Sequence, residues 1–369
     1  MRIVYTAFRG HYSDTPRALF EALAARGLDA EQTWLSSPRT QATFPAGVET
    51  VEFGSPASLT ALERADLVIS NDHIPLDWEK RPGTRYLQTW HGTMLKRIHR
   101  DVLWAPEGRL DYLEHDIARW DLLLSPNPVS TPRLRGAFGF TGPVHETGLP
   151  RNDVLQSPRR DEIRARVRAE LGIPDGKTAV LYTPTWRDDL VFAGTGERDF
   201  DFPIDIEEFT KRLGEDQVLL LRLHNMVSSR LDTGPDSAVR DVSGWADISE
   251  LYLAADALVT DYSSTMFDFA ITGKPQLFFT YDLADFRDRV RGFYFDLEDV
   301  APGPLLATSR ELLDALADLA TVATDHEERY ARFRETFCAL EDGHATERVL
   351  DLLFPSGGPS AGRASTGRG

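Results

Sequence analysis

Cysteine is almost missing from this chain: 369 residues contain one, Cys338. A single thiol excludes an intramolecular disulfide framework and cannot by itself make a Cys-based zinc site, so a reducing compartment fits. No apolar run approaches the ~18 residues needed to cross a bilayer. The opening Met-Arg-Ile-Val-Tyr-Thr reads as a first strand and not as a signal peptide, so the expected location is the cytoplasm. Positive charge is scarce too. Lys and Arg number 41 against 58 Asp and Glu, a net charge of −17, which argues against nucleic acid as the main partner and against general adhesion to an anionic membrane. The loop after the first strand lacks a dinucleotide fingerprint, so no nicotinamide or flavin is implied there. No His/Asp cluster with ligand spacing appears, which disfavours a metal-dependent phosphohydrolase.

What is present is an alternation of short apolar strands and helices. The length suits two domains of roughly 150–170 residues each. Strand candidates are residues 1–6, Ala30–Trp34, Val48–Phe53, Leu67–Ile69, Tyr86–Gln88 and Leu122–Leu124, with helices from Pro16 to about Gly27 and over Pro56–Arg64. Asp14 or Thr15 is placed to cap the first helix. The pattern predicts an α/β fold with a largely parallel sheet. A charged helix over Ser157–Leu171 and the breaker Gly172-Ile173-Pro174 mark the boundary, giving domains 1–172 and 173–354, with the last helices free to pack back on the first. The second domain shows strands at Ala179–Tyr182, Val218–Asn225, Val239–Val242 and Pro275–Phe279, and helices at Ile206–Leu213, Ser309–Ala323, Glu327–Phe337 and Ala345–Phe354. Residues 188–202 read as a mobile insertion, and 355–369, rich in Gly, Ser, Pro and Arg, as a disordered tail.

The stretch 247–268 concentrates the chemistry. Asp247 caps a short helix over 248–255, Ala257-Leu258-Val259 is a buried strand, Thr260–Ser264 a turn, and a helix resumes over Thr265–Ile271. A strand that ends in hydroxyl residues and opens a helix offers free N–H groups to an anion, although plain capping explains Ser263 and Ser264 equally well. In Thr89-Trp90-His91-Gly92-Thr93, His91 lies just past the carboxyl end of a strand, where open α/β sheets hold ligands. It is either a general base or a structural histidine bonded to a carbonyl, and Gly92 permits close backbone approach. Arg222 and His224 alternate onto one side of their strand, a cation and a donor suited to a pyrophosphate. The basic cluster Lys96-Arg97-Ile98-His99-Arg100 reads as a solvated helix face; its other reading is a local membrane contact.

These pieces in this order resemble the CDP-glycerol glycerophosphotransferases that polymerise or prime teichoic-acid-type chains. The matching motifs are Ser13-Asp14-x-Pro16-Arg17, Thr89–Thr93, Gly148-Leu149-Pro150-Arg151-Asn152-Asp153, Tyr182–Arg187, Arg222-Leu223-His224, Asp247–Leu251, Thr260–Ser264, Gly273-Lys274-Pro275 and Arg291-Gly292-Phe293-Tyr294. The sequence departs from the pattern at Met94 and Asn225, where the family commonly has proline.

The resemblance implies a GT-B architecture, two Rossmann-like domains facing a central cleft, with no metal and no cofactor. It implies that His91, the base, and His224 are the catalytic residues, and that Arg222, His224, Ser263, Ser264 and Thr265 hold the pyrophosphate of CDP-glycerol. Gly92, Arg151, Thr185, Arg187, Asp247, Asp261 and Asp268 are further candidates for the substrate site, with Asp247 and Asp268 set against cytidine. The implied acceptor is a lipid-linked or polymeric polyol phosphate, met with at most peripheral contact at the inner membrane surface. The family's larger members carry an extra amino-terminal portion that helps them sit on the membrane; this sequence opens on the first strand, which lowers the expectation of processive synthesis there. Alternatives are transfer of ribitol phosphate from CDP-ribitol, a GT-B nucleotide-sugar glycosyltransferase, and a non-catalytic binding module, which would have no use for His91.

Overall fold

A computed structural model describes residues 1–103, 108–185, 203–223 and 237–355. The expected insertion at 188–202, His224, Arg187 and the tail beyond Pro355 lie outside the described residues.

Two parallel sheets organise the chain. The first has seven strands: β1 (Arg2–Thr6), β2 (Glu31–Ser36), β3 (Glu49–Glu52), β4 (Leu67–Ser70), β5 (Arg85–Gln88), β6 (Leu122–Ser125) and β7 (Val144–Glu146), in the order β3-β2-β1-β4-β5-β6-β7. The second has six: β8 (Thr178–Thr183), β9 (Gln217–Leu221), β10 (Val239–Asp241), β11 (Ala257–Thr260), β12 (Gln276–Phe279) and β13 (Leu305–Leu306), in the order β10-β9-β8-β11-β12-β13. Each strand order reverses once, between β1 and β4 and between β8 and β11. Chains leaving the carboxyl ends at such a point diverge and open a crevice. Strands such as Leu67-Val68-Ile69 are apolar throughout because helices cover both sheet faces. One core cluster lies on each face of each sheet, and a fifth, built from Leu95, Tyr262, Met266, Phe267, Phe293 and Phe337 among others, joins the two halves.

Three local expectations are corrected. The first helix spans Asp14–Ala25 with Ser13 at the N-cap position and no side-chain cap. Asp14 takes a left-handed φ of 64° and turns its carboxylate inward. The long helix expected over 309–323 breaks at Asp318, whose carboxylate caps a new helix, Leu319–Asp325. The cluster 96–100 is no solvated helix face: Lys96 pairs antiparallel with Phe293 of the other half, and His99 is buried with Nδ1 on the Ala137 carbonyl, 2.9 Å away.

The chain also crosses back. The helix Ala345–Leu353 packs Val349, Leu350 and Leu353 against Ile3, Tyr5 and Leu19. Asp153 accepts from Ala345 and Thr346 N–H groups at its start, at 3.0 and 2.7 Å, and Arg85 donates to the Leu352 and Leu353 carbonyls at its end. Negative charge at the start and positive charge at the end complement the helix dipole.

Candidate active site

The crevices of the two sheets meet. Past β5, His91 is brought in by Trp90, whose φ of 52° re-aims the chain. His91 Nδ1 lies 2.8 Å from the Asn71 carbonyl, just past β4, and so must carry the proton and donate it. That leaves the Nε2 lone pair available. Burial of the ring lowers the His91 pKa, outweighing the opposing pull of Asp72, the Asn71 carbonyl and Asp14, while the Arg151 charge lowers it further. The imidazole is neutral at pH 7 and its tautomer is set. The bond to a carbonyl that the structural reading expected is present, and it does not conflict with the other reading, because it leaves Nε2 as the ring's acceptor.

Backbone strain collects around it. Among the described residues Phe8, Arg9, Asp14, Trp90 and His99 take positive φ without being glycine, at about 1–3 kcal/mol each. Phe8 sets its ring 5.5 Å from that of His91, and Arg9 pairs with Asp72 at 3.2 Å. Sequence reading had no signal for Phe8, since φ is invisible in composition.

From the other half, β11 runs into the turn at 261–264. Asp261 is buried and accepts from the Thr185 and Tyr262 N–H groups at 2.8 and 2.6 Å, stitching the loop after β8 to the turn. Thr265 lies within 3.0 Å of the Thr183 hydroxyl and 3.3 Å of that of Thr260. These three side chains build the turn, whereas Ser263 and Ser264 stay half-buried beside the cleft. Gly92 fills the gap between the halves. With φ at 143°, a Cβ there would lie 3.2 Å from Arg151 Nη2 and 3.6 Å from Ser264 Oγ. A cavity of about 500 Å³ opens alongside, walled by His91, Thr93, Ile98, Phe138, Tyr262 and Ser264.

Arg222 emerges just past the end of β9, which is shorter than expected. Its Nη1 donates to the Trp245 carbonyl at 2.7 Å, and Asp247 acts on it from beyond ion-pair distance. Burial pushes its pKa down, outweighing the opposing pull of Tyr252 and Asp247. His11, from the loop after β1, lies within the field of this cation. Asp247 caps its helix through Ser249 N–H at 2.9 Å and pairs with Arg17 across the halves at 3.1 Å. Asp268 accepts from Arg151 at 2.5 Å and Asn152 at 3.0 Å, so both of its oxygens are occupied and it braces the site from behind. Among the described residues no group of three or more His, Cys, Asp or Glu side chains could hold a metal ion.

The family model for CDP-glycerol:poly(glycerophosphate) glycerophosphotransferase matches residues 1–355. The chain belongs to this family. It is 40% identical to the teichoic acid glycerol-phosphate transferase of Staphylococcus aureus, over 95% of this chain and 92% of that protein. It is 36% identical to the teichoic acid poly(glycerol phosphate) polymerase of Bacillus subtilis over 95% of its length, but spans only 48% of that polymerase. Ribitol-phosphate relatives are more distant, as in the 31% identity to the poly(ribitol-phosphate) polymerase of Bacillus spizizenii over 78% of this chain and 46% of that one. The structure of the wall teichoic acid polymerase TagF superposes with a TM-score of 0.87 at 35% identity, covering 95% of this chain and 88% of that one. The glycerophosphotransferase is thus a GT-B protein, two parallel α/β sheets about a cleft.

One buried group behind the cleft gives this family member a pH signature. Glu341 accepts from Leu149 N–H at 3.1 Å, and burial pushes its pKa up to about 8. The folded state therefore binds a proton that the unfolded state releases between the ordinary carboxylate range and about pH 8, so stability falls as pH rises through that window. Glu341→Gln keeps an acceptor for Leu149 without the charge. It is expected to unfold at a higher temperature than the wild type at pH 8, with the gap closing at pH 5; equal shifts at both pH values would refute the assignment.

Proposed function

We propose that the protein transfers glycerol phosphate from CDP-glycerol to a hydroxyl of a teichoic-acid-type polymer acceptor and releases CMP. One observation carries the reading: a neutral histidine whose Nε2 has no hydrogen bond to the described residues stands one glycine away from the Ser263-Ser264 turn of the opposite half. In the reaction the acceptor hydroxyl oxygen bonds to the phosphorus that carries glycerol while its proton passes to His91 Nε2. The bond from that phosphorus to the bridging oxygen breaks, and its electron pair leaves with CMP. Positioning and stabilisation of spread negative charge dominate such a transfer. Arg222 with Ser263 and Ser264 is proposed to hold the pyrophosphate, joined by His224 on the strength of the family resemblance.

Residues up to 172 form the acceptor side in this proposal and residues 173–354 the donor side. The higher identity to glycerol-phosphate than to ribitol-phosphate relatives favours the glycerol donor. A lipid-linked acceptor at the cytoplasmic membrane face belongs to the same proposal. Its support is the polymer named in the relatives; no described helix is long and apolar enough to cross a membrane, so that contact would be peripheral.

The test is CMP release from CDP-glycerol with a short glycerol-phosphate acceptor, beside CDP-ribitol and UDP-glucose, all with EDTA. Acceptor-dependent release from CDP-glycerol is the expected result. Consumption of UDP-glucose alone would move the protein to the glycosyltransferases.

A further inference from the structure

Arg151 sits at the start of the 3₁₀ segment Pro150–Gln156, on the chain that links the two sheets. Its side chain is only 8% exposed. Nη1 donates to Asp14 Oδ2 at 2.5 Å and to the His91 carbonyl at 2.9 Å, while Nη2 donates to Asp268 Oδ2 at 2.5 Å. One planar fork therefore holds three segments: the loop after β1, the peptide of the base, and the helix Thr265–Ala270 that begins at the serine turn. Nη1 spends both of its N–H groups within the protein and Nη2 spends one, while Nε is buried away from substrate and has no partner among the described residues. The space between this guanidinium and Ser264 is filled by the backbone of Gly92.

We infer that Arg151 is a positioning residue which, through Asp14 and Asp268, fixes the distance between the His91 base and the donor-phosphate turn. The inference rests on the glycerophosphotransfer reading and assigns Arg151 a role other than ligand. Lysine is no substitute: it keeps the charge but presents one nitrogen where the fork presents two. A misplacement of about 1 Å at such a centre costs on the order of 10²-fold in rate.

Arg151→Lys is therefore expected to lose roughly 100-fold in kcat per competent site, with CDP-glycerol affinity unchanged; calorimetric stoichiometry counts the competent sites, so a partly unfolded sample cannot imitate the loss. Should that variant fail to fold, Asp268→Asn, which weakens one arm of the fork, reads the same split. A second signature is the acid limb of the kcat/KM profile in Arg151→Gln. The groups facing His91 are Asp72 with its partner Arg9, Asp14, the Asn71 carbonyl and Arg151. Removing a cation that lowers the His91 pKa, and with it the neutralisation of Asp14, moves that limb to higher pH, an effect that loss of folded protein alone would not produce. Retained kcat in both Arg151→Lys and Asp268→Asn overturns the inference, as does a loss confined to CDP-glycerol affinity. A wild type that ignores CDP-glycerol refutes the transfer reading instead.

Discussion

Replacing His91 with alanine is expected to lower CDP-glycerol turnover by roughly 10²–10⁴-fold, the span for losing a general base, and to leave CDP-glycerol binding intact. The reason is geometric. His91 belongs to the half proposed to meet the acceptor, and its Nδ1 is committed to Asn71, which leaves Nε2 to act on the hydroxyl in the proposed reaction. Calorimetry beside rate measurement separates the two quantities. Because burial lowers the pKa of this imidazole, the wild-type rate should stay flat from neutral pH down to below the ordinary histidine range, then fall as Nε2 is protonated. Loss of binding in His91→Ala would place this ring on the donor and remove it from the role of base.

Arg222→Gln is expected to do the reverse. Hydrogen bonds to charged groups contribute about 1.5–3 kcal/mol, so CDP-glycerol affinity should weaken roughly 10–100-fold. Binding of CMP, which lacks the second phosphate, should weaken less. Among the described residues this half-buried cation is held by the Val242 and Trp245 main-chain carbonyls, and in the proposed site the pyrophosphate would offset the cost of its burial. Equal binding by wild type and variant would exclude Arg222 from the donor site.

Much of this was legible in the residues. Short apolar strands separated by helices specified parallel sheets, and the rule that ligands gather at the carboxyl ends of strands directed attention to His91, Arg222 and the turn at 260–264. Other features were not legible, because they depend on contacts between distant segments. Asp14 looks like a helix cap in sequence, and Asp268 like a first-turn acid; only the fold sets both against Arg151. Lys96–Arg100 has the composition of a solvated surface, yet Arg97 N–H donates to the Gly292 carbonyl at 3.0 Å and Tyr294 N–H to that of Leu95 at 2.8 Å. The resemblance had already picked out Gly292-Phe293-Tyr294 as a motif, but nothing in its composition says that it pairs with the chain just after His91.

That pairing bears on traffic. With main-chain bonds on one flank of His91 and the Arg151 fork on the other, the wall of the cleft beside the base is sewn shut. Swinging the two sheets apart along this edge would break both seams.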